Sequence, residues 1–198
     1  MLLALALAAA LTAPPSAPPP APPAGPAGEA VPLPDAPPAW SSAIRRAEDA
    51  GAAFQKALQG RLAAALSQGG AAGAIEVCAT EGPRIAAEVS AASDVKMGRT
   101  SDRLRNPANV PPAWARTFVL LSAGEKAAAV KPLAVDLGGE LGVLLPVGVK
   151  AACLGCHGPS ASTQPKVKEA LAARYPKDQA VGYAEGDLRG FLWVEVKK

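Results

Sequence analysis

Cys153-Leu154-Gly155-Cys156-His157 reads C-x-x-C-H, the attachment signature of a c-type haem. The spacing has a chemical reason. Each thiol adds to one haem vinyl group to form a thioether, and the histidine after the second cysteine is held under the iron as its proximal ligand. C-x-x-C alone also occurs in dithiol redox sites and zinc sites. His157 is the only histidine in the 198 residues. That count excludes a second haem with its own histidine, bis-histidine ligation within one chain, and a Cys2His2 zinc site. A Cys3His site from Cys78, Cys153, Cys156 and His157 is disfavoured, because neighbours such as Cys156 and His157 rarely both reach one small tetrahedral ion. A thioredoxin-like dithiol gains nothing from the histidine. The expected cofactor is therefore one covalently attached haem c.

Upstream, Leu2 to Leu11 is an unbroken apolar run followed by small residues. It has the character of a signal-peptide core and is short for a bilayer span. No Lys or Arg precedes it, and no clean small-x-small cleavage site follows. Haem attachment of this type takes place outside the cytoplasm, so a periplasmic location is expected. Pro14 to Pro38 is dense in Pro and Ala and carries only Glu29 and Asp35 as charges. Such a stretch favours extended, polyproline-like conformations. The expected organisation is residues 1–24 as signal peptide or anchor, 25–38 as linker, and 39–198 as one haem domain. An uncleaved apolar run would tether the domain to a membrane. The net charge is +3, without Lys/Arg runs interleaved with aromatics, so nucleic-acid binding has no support.

Within the domain, Trp40 to Gln68 reads as a helix with Ile44, Ala47, Gly51, Phe54 and Leu58 on one face. Gly69-Gly70 should stop it, and Ala71 to Ser90 should return as the second arm of a helical hairpin. Pro83 should kink or restart that arm. Asp94 to Ser101 reads as a strand, Arg105 to Pro112 as an ordered loop, and Pro112 to Ser122 as a short helix. Ala128 to Leu145 reads as a β-hairpin turning at Gly138-Gly139. Pro165 to Tyr175 reads as a helix, and Leu188 to Val196 as a closing strand. Helices first and antiparallel strands later predict an α+β domain, unlike the small all-helical cytochromes.

An iron held by His157 has a sixth position. Met97 and Cys78 are the only methionine and cysteine outside the presumed signal and the motif, so the choices are Cys78, Met97, or an open or exchangeable site. Cys78 shares a helical stripe with Ala71, Ala74 and Ile75, which also suits an inert buried cysteine. Met97, in a strand-like run, suits core packing.

Further segments carry a resemblance. They are Ile75-Glu76-Val77-Cys78, Arg99-Thr100-Ser101 with Arg105-Asn106-Pro107-Ala108-Asn109, the haem motif with Gly158, and Ala173 to Tyr183 running on to Gly186-Asp187-Leu188-Arg189-Gly190. Together they resemble a family of bacterial monohaem c-type cytochromes with a PAS-like fold. The resemblance implies a helical hairpin beside a PAS-like antiparallel sheet, with the iron ligated by His157 and Cys78. The long Pro/Ala segment departs from the family pattern.

A thiolate donates electron density and stabilises Fe(III), so the expected function is low-potential one-electron transfer or redox sensing, with an unidentified redox partner protein. The alternative is a gas or ligand sensor in which the distal ligand leaves. Peroxidase or nitrite chemistry is not expected, because His157 is committed and Cys78 fills the distal side. Arg99, Arg103, Arg105 and Arg189 are candidates to pair with the haem propionates, with Arg105 the strongest for its Asn/Pro-rich setting. Tyr175 and Tyr183 read as packing residues. Asn106, Asn109, Asp178 and Asp187 read as loop ties.

Overall fold

The computed structural model describes residues 28–198. Its strands are β1 (Ala30–Pro32), β2 (Val95–Thr100), β3 (Leu133–Asp136), β4 (Glu140–Gly148) and β5 (Leu188–Lys197). They form one five-stranded antiparallel sheet in the order β1-β3-β4-β5-β2. The helices are α1 (Ser41–Glu76), α2 (Gly82–Ser93), α3 (Arg116–Leu121), α4 (Leu154–His157) and α5 (Pro165–Arg174). The architecture is α+β, as the order of elements in the sequence predicts.

Helix α1 leaves helical geometry at Gly70, with φ 63° and ψ −161°, a conformation open to a residue without Cβ. The chain reverses there. Arg61 reaches Glu81 at 3.8 Å, and Gly73 lies against the Ala65 carbonyl. The two arms make the expected hairpin. The first arm buries Ala43, Ile44, Ala47, Ala50, Phe54 and Leu58 against Ile85 of α2 and against Val95, Met97, Leu141, Val143, Leu192, Val194 and Val196 of the sheet. Gly51 allows the close approach, since a Cβ there would stand 2.6 Å from Leu145 Cδ1. Met97 is thus a core side chain.

Strand β5 alternates. Leu192, Val194 and Val196 face the helices, while Phe191 and Trp193 face a second core built with Trp114, Val119, Val135 and Leu144. Period-2 patterning puts successive side chains on opposite faces, so a central strand covered on both sides is apolar throughout. Burying each large aliphatic side chain contributes about 1.5–3 kcal/mol.

Two details differ from the sequence expectation. Part of the stretch read as linker belongs to the fold: Ala30–Pro32 pairs with β3 at the sheet edge, and Leu33 and Ala36 pack against the main core. An edge strand tolerates proline because one row of its backbone groups needs no partner, so a proline-rich composition did not preclude pairing. The hairpin is also displaced. Ala127–Ala129 is a 3-10 turn, and the strands run from Leu133 to Gly148 around Gly138 (φ 89°). The presumed signal and the linker up to residue 27 lie outside the described residues. Among the described residues, no helix is long and apolar enough to cross a membrane.

Candidate functional site

Cys78 sits in a π-helical turn, Val77–Glu81, between α1 and α2. The local sequence accounts for the turn. Pro83 has no N–H for the carbonyl four residues back, and its ring crowds that carbonyl. The helix widens, Gly82 N–H donates to Val77 O, and the Thr80 hydroxyl donates to Glu76 O at 2.9 Å. Turns of this kind recur at functional sites. Cys78 is half-buried and unbonded to another cysteine.

The C-x-x-C-H motif follows β4 directly, as a 3-10 turn (Ala151–Cys153) running into α4. Cys153 and Cys156 are three residues apart, a spacing that sets helical side chains on one side. Gly158 closes α4 where a Cβ would stand 2.6 Å from Leu154 O. The segment Ala180–Tyr183 then straps the motif by its backbone. Tyr183 N–H donates to His157 O, and Gly182 N–H to Gly158 O, each at 2.9 Å.

His157 has its tautomer fixed by the same strap. Its Nδ1 lies 2.8 Å from Ala180 O. A carbonyl only accepts, so Nδ1 carries the hydrogen and Nε2 presents its lone pair as an acceptor toward Arg105 Nη1. This is the usual arrangement of a metal-binding imidazole. Burial, reinforced by Arg105 and Arg189, pushes the His157 pKa down to about 3, so the ring is neutral at physiological pH.

Arg105 is the hub of the surrounding loops. Its Nε donates to Asp178 Oδ2 at 3.0 Å, and its Nη2 to Cys156 O at 2.6 Å and Ala180 O at 3.1 Å. Its Nη1 lies 3.4 Å from His157 Nε2. Asp178 also accepts from Ala180 N–H, so Arg105 and Asp178 together hold the strap that holds His157. Asn106 accepts from Ala108 N–H, and Asp187 from Ala184 N–H, as loop ties. Asn109 takes part through its backbone N–H, which donates to Asn106 O.

The structure brings Cys78 to the same place. Burial raises its thiol pKa, while Arg99, Arg105 and Arg189 pull it down. The same arginines act on His157, so the two side chains share one electropositive surround. Burial raises the Cys156 thiol pKa, with Cys78 and Cys153 close enough to add to it, and Cys153 is also close enough to act on Cys78. Tyr175 packs nearby with Ile75, Val167, Leu171 and Cys156. Tyr183 is 1% exposed, with Arg103 3.7 Å from its ring centre and the His157 ring edge-on at 6.2 Å.

These residues fit a haem better than the alternatives. An unprotonated imidazole nitrogen and the thiols of Cys78, Cys153 and Cys156 lie close together. The buried hydroxyls of Tyr183 and Thr100 have no hydrogen-bond partner among the described residues. Among the described residues, no three His, Cys, Asp or Glu side chains converge to hold a metal ion, so the Cys3His zinc arrangement is not formed. Sequence reasoning missed the π turn, though Pro83 five residues after Cys78 was its signal. It also missed the Ala180 carbonyl, which no side-chain pattern announces.

A family model described as Tll0287-like matches residues 35–196. Among solved structures, one described as the crystal structure of the cyanobacterial heme-protein Tll0287 is 26% identical, over 62% of this chain and 72% of that one, with a TM-score of 0.49. No curated protein matches the chain.

Proposed function

The chain belongs to the Tll0287-like family, and from that premise we propose that it is a periplasmic monohaem c-type cytochrome with a PAS-like domain. It passes single electrons at low potential, or reports redox state, through an iron between His157 and Cys78. The observation that carries this reading is the proximity of Cys78 to Cys153, Cys156 and a His157 whose Nε2 is left unprotonated by the bond of Nδ1 to Ala180 O. The protein that gives the family its name is described as a haem protein, which supports the cofactor. When bound, the haem supplies the one-electron couple. The chain's own residues set its surroundings: Cys153 and Cys156 anchor, His157 and Cys78 ligate, and Arg105 with Asp178 fixes the His157 strap. The reading includes a separate redox partner protein, export, an N-terminal membrane tether, and no enzymatic turnover.

Absorption and EPR spectra of the matured protein beside a Cys78→Ser variant test the ligand set. Low-spin ferric signals with thiolate character, lost in the variant, are expected. An unchanged spectrum would return Cys78 to packing. A second reading, ligand sensing, has support from the place of Cys78 in a π turn, a feature that recurs at functional sites. Rapid CO binding to the reduced protein distinguishes it; an electron carrier with a retained sixth ligand takes up no CO.

A further inference from the structure

The arginines around the chamber are not equivalent. Arg105 is neutralised by Asp178 and gives its Nη2 donors to two carbonyls, while its Nη1 stands 3.4 Å from His157 Nε2. Arg103 donates to Val181 O at 2.9 Å and stacks on the Tyr183 ring. Arg103 has no carboxylate partner among the described residues, but Arg99 and Arg189 also lack a carbonyl bond as close as its own. Among the described residues no carboxylate bridges either one, and every Asp and Glu of the chain lies within those residues. Arg189 makes one long bond, 3.3 Å to Arg103 O, and burial disfavours its charge. Arg99 rests in the notch left by Gly82, where a Cβ would come within 2.8 Å of its Nη2, with the Phe54 ring 5.7 Å away. Two guanidiniums without a carboxylate partner therefore stand close to Cys78 and His157. Arg189 also lies 5.4 Å from the ring centre of Tyr183, whose buried hydroxyl has no partner among the described residues.

Both guanidiniums are half-buried, and a charge partly withdrawn from water without a partner is disfavoured until a group of opposite sign meets it. A haem carries two propionate carboxylates. We propose that Arg99 and Arg189 are the countercharges of those two propionates, and that Arg105 is a structural arginine committed to Asp178. This inference rests on the haem reading above.

Melting temperatures of the full chain, with and without attached haem, test it in Arg99→Gln, Arg189→Gln and the exposed control Arg45→Gln. Removing a half-buried charge that has no carboxylate partner should raise the melting temperature of the haem-free chain, whereas the haem-loaded chain should melt several degrees lower. A purely structural arginine would lower both. The midpoint potential of the loaded variants should fall, because a cation that disfavours Fe(III) is gone. That measurement decides the matter if the haem-free chain does not fold. Both effects should persist in a Cys78→Ser background. Loss of the effects there would show that the arginines serve the thiolate, and parallel shifts in both forms with an unchanged potential would also overturn the proposal. Wild-type chain that acquires no haem mass in a cell competent for attachment would instead overturn the haem reading itself.

Discussion

The helix-packed face of the sheet and the lobe around His157 are built by opposite means. The first is apolar and complete: Leu141, Val143 and Val194 are fully buried, and Gly51 is matched to the neighbour it must admit. The second has only small apolar clusters, Ile75 with Val167 and Leu171, and Val149 with Ala180 and Tyr183. It is held by a backbone strap and one buried ion pair, beside arginines without a carboxylate partner among the described residues. The first region positions the second, since β2 and β5 carry Arg99 and Arg189 and α2 fixes the end of the π turn. Packing therefore sets where the site groups stand, and a ligand completes what they cost.

Acid should expose this difference most. In the haem-free chain His157 is held neutral, with its pKa lowered from 6.5 to about 3. A lowered folded-state value means the unfolded chain takes up the proton first. The cost is absent above about pH 6.5, grows as pH falls, and is complete below about pH 3, reaching about 5 kcal/mol. Urea unfolding at neutral pH and at pH 4 should show a much steeper loss than in His157→Gln. Equal losses in the two proteins would mean that His157 is not buried uncharged.

The apolar region should respond in another way. Leu141→Ala empties part of the core beside Val143 and Val196, a change that costs about 3 kcal/mol. The loss should be the same with and without haem, and the haem spectrum should not change. A loss that depended on haem would mean that the two regions are energetically one.

Legibility in the sequence followed the same division. The main core was readable because Ile44, Ala47, Phe54 and Leu58 recur at helical spacing, and Leu192, Val194 and Val196 at strand spacing. The haem motif, the hairpin reversal at Gly70 and the loop ties of Asn106, Asp178 and Asp187 were readable because each is a local property of side chains. What failed was pairing across distance. Ala30–Pro32 has the composition of a spacer and becomes a strand only because β3 offers an edge. The bond of Arg105 to Asp178 joins residues 73 apart, and no local pattern links them. The bond between His157 and Ala180 O involves a backbone group, which carries no residue signature at all.

The smallest change in stability should come from the joint between the regions. Pro83→Ala restores an N–H that can donate to the carbonyl of Ala79, so the π turn at Val77–Glu81 can tighten to ordinary helix. Regaining that bond and relieving the ring clash offset the strain passed to the α2 end, where Gly82 still packs on Arg99. The net effect on unfolding should stay within about 1 kcal/mol. Cys78, however, lies inside the turn. Removing one residue's widening rotates a helical side chain by about 100°, which would carry its sulfur away from the chamber shared with His157. The variant should therefore melt like the parent while losing thiolate character in its ferric EPR signal. Thiolate character retained at full strength would mean that the wide turn is a by-product of proline rather than the device that aims Cys78.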